Sequence, residues 1–136
     1  MRSMFGIVFG LAGGMVGLAA SAHQSGLAKP DLVLRQVTDA MPTGLRQEVR
    51  VFTATFKPGD RTVTHTHRYP VTVYVLEGSF TLELEGREPV TVRAGEALVE
   101  PASVRMTGFN RSETQPARVV IFYVSALDTP FLDLSH

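Results

Sequence analysis

From Gln47 to Ser125 the chain is a succession of short alternating runs, each closed by a turn signal. Val49, Val51, Thr53 and Thr55 alternate with Arg50, Phe52, Ala54 and Phe56. Lys57-Pro58-Gly59-Asp60 then turns, because Pro fixes φ and Gly permits positive φ. Phe80, Leu82 and Leu84 alternate with Thr81, Glu83 and Glu85, a strand with one dry and one wet face. Further turns fall at Glu77-Gly78, Glu85-Gly86-Arg87 and Ala94-Gly95-Glu96, with short strands at Val90 to Arg93, Ala97 to Glu100 and Val104 to Phe109. Arg118 to Ser125 is the most apolar run and is expected at the centre of a sheet. Runs this short, with turns at intervals of about eight to twelve residues, build sandwiches or barrels. No stretch beyond the amino-terminal segment keeps a helical period over two turns. The expected fold class is all-β.

Within this rhythm, Val63-Thr64-His65-Thr66-His67 carries the chemistry. Its composition favours a strand, and on a strand residues two apart share a face. His65 and His67 are therefore expected to converge inward beside Val63, with Thr64 and Thr66 on the other side. The following run, Val71 to Leu76, is expected to form a hairpin with it and to turn Val71, Val73 and Val75 inward. Neutral imidazole suits Zn, Cu, Fe, Ni and Mn. Two ligands alone seldom hold an ion, since three or four are usual. Glu100, a carboxylate at a strand end before Pro101, is a candidate third donor.

The spacing resembles the two motifs of the cupin superfamily, in its small single-domain form. Gly59, His65, His67, the ligand position at residue 71 and Gly78 follow the first motif; Gly95, Pro101 and Asn110 follow the second. The likeness covers about residues 48 to 125. It implies a jelly-roll β-barrel that packs as a homodimer, with the carboxy-terminal tail lying on a neighbouring subunit. In metal-binding members the first motif supplies two His and a Glu, and the second supplies a third His. Here Val71 stands at the Glu position, Met106 at the third His, and Ser103 where the motif has Gly. The resemblance thus carries over His65 and His67 as ligands and turns the Met106 thioether toward them. Two imidazoles and a thioether suit copper; an oxygen donor such as Glu100 suits Fe, Mn, Ni or Zn.

Two functions follow. One is a small-molecule-binding barrel with an incomplete metal site, its pocket lined by Val63, Val71, Val73 and Met106. The other is a metal-dependent enzyme, an oxygenase or isomerase, using His65 and His67 with a non-standard third ligand. A barrel that serves assembly alone is a third. No Ser-His-Asp set, phosphate loop or zinc-protease helix motif is present. Absence of cysteine removes disulfides and thiolate sites. A net charge of zero gives no basic footprint for nucleic acid.

Residues 1–22 have the order of a secretory signal: Arg2, an apolar run from Phe5 to Ala20, then Ala20-Ser21-Ala22. Cleavage there would leave a chain starting at His23, exported to the periplasm or beyond, with no membrane partner. Residues 23–46 read as a lead-in with an edge strand at Leu32 to Val37, residues 47–126 as the barrel, and residues 127–136 as a tail laying Phe131 and Leu132 on the body.

Overall fold

A computed structural model of the chain describes residues 10, 12–21 and 25–135. The chain divides into two compact units, Met1–Pro30 and Asp31–His136. The described residues of the first unit form neither helix nor strand. Arg2, the start of the apolar run, Ala22 and His23 lie outside the described residues. Among the described residues, no helix is long and apolar enough to cross a membrane.

The second unit is all-β. Its strands are β1 (Gln47–Phe56), β2 (His65–Thr66), β3 (Val71–Glu77), β4 (Ser79–Leu84), β5 (Val90–Arg93), β6 (Ala97–Glu100), β7 (Met106–Phe109), β8 (Ala117–Ala126) and β9 (Asp133–Leu134). They form two antiparallel sheets, ordered β1-β8-β3-β6 and β5-β4-β7-β2-β9, the double-sheet arrangement of a jelly roll. The apolar run Val119 to Val124 lies in β8, between β1 and β3, as its composition anticipates. The core holds one side of each strand: Val71, Val73 and Val75 from β3, Phe80 and Leu82 from β4, Val119 and Tyr123 from β8.

Two local expectations give way. The His run and β3 do not pair as a hairpin. β2 bonds β7 and β9 in one sheet, β3 bonds β6 and β8 in the other, and the chain crosses between them over residues 67–70. Adjacent strands pair by default, but closing a barrel requires some connections to change sheets. No strand forms over Leu32 to Val37. That segment has a strand's composition but no neighbouring backbone to bond.

Turn glycines define the register at the sheet ends. Gly78 has φ 72°, and a Cβ there would collide with the carbonyl oxygen of Pro116. Ser103 keeps φ 61° although it carries a side chain. Its amide donates to the His67 carbonyl at 2.7 Å. The left-handed turn of the second motif is thus retained without its glycine, at a cost of about 1–2 kcal/mol. Asn110 is buried and ties the barrel's end together. Its side-chain amide donates to the carbonyls of Phe56, Lys57 and Gln115, and its oxygen accepts from the Ser112 amide.

Candidate metal centre

His65 and His67 lie at the start of the crossover, both buried, with their rings 4.7 Å apart. Backbone carbonyls orient each ring. His65 Nδ1–H donates to the Val63 carbonyl at 2.7 Å, and His67 Nδ1–H donates to the Phe131 carbonyl at 2.6 Å. A carbonyl can only accept, so both Nδ1 atoms carry the proton. In the neutral ring this leaves the lone pair on Nε2, and the two Nε2 atoms face one another at 3.1 Å.

The third member is Glu100. Its Oε2 stands 3.0 Å from His67 Nε2, and its side chain is almost fully enclosed. His65, His67 and Glu100 each bring one ligand atom into a cluster whose members lie within 4.8 Å of one another. Three acceptors so placed, in a buried setting, need a positive charge between them, either a proton or a cation. The spacing suits a cation. Ligand atoms about 2.1 Å from an ion, at octahedral to tetrahedral angles, stand roughly 3.0–3.4 Å from each other. Carbonyls that orient the far ring nitrogens are the usual outer support of a metal-bound His.

The strand register explains the origin of the carboxylate. Val71, at the motif's Glu position, pairs directly with Glu100 across β3 and β6. Directly opposed residues project to the same face, with Cβ atoms about 4.5–5.5 Å apart. Glu100 thus projects from β6 to the same face as residue 71 on β3, beside the two imidazoles.

Burial lowers the His65 pKa. The bond to the Val63 carbonyl opposes that shift, His67 adds to it, and Glu100 offsets part of it. His65 is therefore neutral at neutral pH and its Nε2 lone pair is available to a cation.

A cavity of about 60 Å³ opens onto the three ligands. Its walls are mostly apolar, from Phe56, Val73, Phe80, Ile121 and Phe131 among others, with Thr62 also lining it. Of the residues expected to line a pocket, Val73 does so. Val71 is buried beside Glu100 but does not reach the cavity. Val63 is 56% exposed and contributes only its carbonyl, because the strand begins after it and alternation does not extend that far. Met106 is buried opposite His65 on β7, yet it walls a separate outer groove with Thr64, Glu83 and Arg105.

Residue-by-residue reading missed the tail's part in the site. Phe131 gives His67 its carbonyl and lays its ring 5.0 Å from the imidazole, 5.6 Å from Tyr123 and 4.6 Å from Phe52. β9 pairs with β2, and Arg68 bonds Asp133. The tail thus lays Phe131 against the body of its own barrel. The aromatic at residue 131 was its visible signal, but no spacing rule links it to His67.

The profile of the Cupin domain family matches residues 52–123. No curated protein matches the sequence. The DMSP lyase DddQ from Ruegeria pomeroyi superposes with a TM-score of 0.56 at 17% identity, over 64% of this chain and 43% of that one. A cupin-like protein from Thermotoga maritima gives 0.51 at 19% identity, over 59% and 58%. The polyketide cyclase RemF from Streptomyces resistomycificus gives 0.51 at 28% identity, over 65% and 61%. The chain spans less than two thirds of each of these proteins, and likeness at 17% and 19% identity is a likeness of fold.

Proposed function

Because the chain belongs to the Cupin domain family, we propose that its barrel is a metal centre. In this reading His65, His67 and Glu100 hold one divalent ion, and the ion's open positions face a small oxygen-bearing molecule. The observation that carries the reading is the convergence of two Nδ1-protonated imidazoles and a buried carboxylate on one point. Two His and one carboxylate leave positions free on the ion and suit Fe(II), Mn, Ni or Zn better than copper. When bound, such an ion polarises an oxygen of its ligand as a Lewis acid.

The chain's own residues set the terms around that ion. The Val63 and Phe131 carbonyls hold the two rings in the ligating tautomer. The aromatic and aliphatic walls exclude bulk water and strengthen charge interactions inside. At about 60 Å³ the cavity is far below the 300–1,000 Å³ of ordinary ligand pockets, so it admits a molecule of only a few heavy atoms unless the tail yields. The metal-assisted enzyme is therefore favoured over a barrel that binds a larger ligand without metal.

Thermal unfolding of the chelator-stripped protein, with and without Mn, Fe(II), Ni or Zn, tests this. An ion at a hundredfold excess over its Kd adds about 2.7 kcal/mol, a rise of roughly 10–20 °C for a domain this size. The rise should shrink on acidification, because protons compete for the imidazoles. The metal-free chain has its own pH dependence. With a lowered folded pKa, the folded His65 binds fewer protons than the unfolded one. Stability therefore rises with pH from that lowered value up to about 6.5, and is lost below it. No shift with any ion at neutral pH would refute the metal reading.

A further inference from the structure

The carboxy-terminal tail is firmly held where it leaves β8 and lightly held at its far end. The chain reverses at residues 127–128, where Asp128 takes φ 59°. Glu48 and Arg50 of β1 grip this reversal. The Asp128 amide donates to Glu48 Oε2 at 3.3 Å. Arg50 Nη2 donates to the Thr129 carbonyl at 2.8 Å and to Ser125 Oγ at 3.0 Å. Thr129 is itself buried, and its hydroxyl donates to the Ala126 carbonyl at 2.8 Å.

Beyond residue 130 the backbone attachments are few. β9 is two residues long and ends its sheet, bonding only β2. The Ser135 amide donates to the Thr64 carbonyl at 3.2 Å. The Arg68 guanidinium meets the Asp133 carboxylate at 3.0 and 3.2 Å, with both side chains exposed. An exposed ion pair contributes little. A two-residue ladder at a chain end opens locally, far more readily than the whole domain unfolds.

Phe131 and Leu132 lie between the two ends, and both wall the cavity that opens onto His65, His67 and Glu100. The Phe131 carbonyl accepts from His67 Nδ1–H at 2.6 Å. One short segment therefore both closes the cavity and orients a ligand. We propose that residues 130–135 are a strap that opens from its free end to admit the ion and the small molecule, and that an ion bound at His67 holds it closed. This inference rests on the metal-centre reading above. An ion on Nε2 is a large local charge. It draws electron density from the ring and makes Nδ1–H a stronger donor, an effect that the Phe131 carbonyl receives only while the strap is closed. Loss of such an outer partner costs about ten- to a hundredfold in metal affinity. Linkage is reciprocal, so the ion favours the closed strap by the same factor.

Hydrogen exchange of the full chain tests the strap, first stripped of metal, then loaded with whichever of Mn, Fe(II), Ni and Zn raises its unfolding temperature most. Without metal, the amides of residues 133–135 should exchange at least about a hundredfold faster than those at the centre of β8. The ion should slow them by about ten- to a hundredfold. In the metal-free chain, Asp133→Arg should speed their exchange about two- to tenfold, and Arg68→Asp/Asp133→Arg should restore it. Thr66 and Asp133 oppose each other across β2 and β9, and the chain has no cysteine. Thr66→Cys/Asp133→Cys can therefore lock the strap with a reversible disulfide. The oxidised chain should release its ion to EDTA at least about tenfold more slowly than the same chain after reduction, since the strap must open first. An ion that raises the unfolding temperature but leaves the tail amides unchanged would overturn the strap and leave the metal centre standing. So would equal release from the oxidised and reduced chains. A chain that takes up none of the four ions would overturn the metal centre, and the strap with it.

Discussion

Glu100→Ala is expected to lower affinity for a divalent ion at least a hundredfold, and Val71→Glu in that background is expected to restore most of it. Loss of a mere outer support typically costs ten- to a hundredfold, so loss of a direct ligand should cost at least the upper figure. Rescue follows from the register. Residues 71 and 100 face each other across β3 and β6, so a carboxylate on either strand can reach the same ion. Affinity in the Val71→Glu/Glu100→Ala chain should return to within about tenfold of wild type, given the short Cβ separation of an opposed pair. Metal titration by calorimetry reads both effects. Unchanged affinity in Glu100→Ala would remove Glu100 from the ligand set. Failure of rescue, with the chain still folded, would contradict the idea that one strand's carboxylate replaces the other's.

The second large effect concerns the fold itself. Gly78 and Gly86 share φ 72°, but only Gly78 has backbone against it, from Pro116 and Ala117. Gly86→Ala therefore carries the left-handed cost alone, about 1–2 kcal/mol. Gly78→Ala adds a collision that only movement of the β8 entry can relieve, and is expected to cost about 3–5 kcal/mol, in the range reserved for named structural lesions. Urea unfolding of the two variants side by side separates the terms. Equal losses would mean that the β3–β4 turn moves freely and that Pro116 does not confine it.

Strand positions, turn glycines and the inward His pair are written in spacings of two and in short turn signals, and they are local. So is the departure at Val71. The approach of Glu100 to the His pair is not local, because it depends on β6 pairing with β3 in a register that sets Glu100 opposite residue 71. The same limit explains the His run. Its hairpin with β3 is the expected neighbour pairing, but barrel closure sends β2 to β7 and β9 instead. Phe131 is further removed still: its carbonyl reaches His67 across 64 positions. Alternation placed Val63 inward, and it failed because the strand starts only at His65. At Ser103 the motif residue changed while the backbone conformation did not, so the departure altered the cost of the turn and not its shape.

The most direct test of the metal centre is elemental analysis of the freshly purified full chain beside a His65→Ala/His67→Ala variant. About one divalent ion per chain is predicted, from the group Fe, Mn, Ni and Zn, as expected for a site with three protein ligands. In the variant it should fall below about a tenth. A folded wild-type chain that carries no ion, even after incubation with each of these metals and with copper, would contradict the account. The three buried acceptors would then share a proton, and the barrel would have to act without a metal.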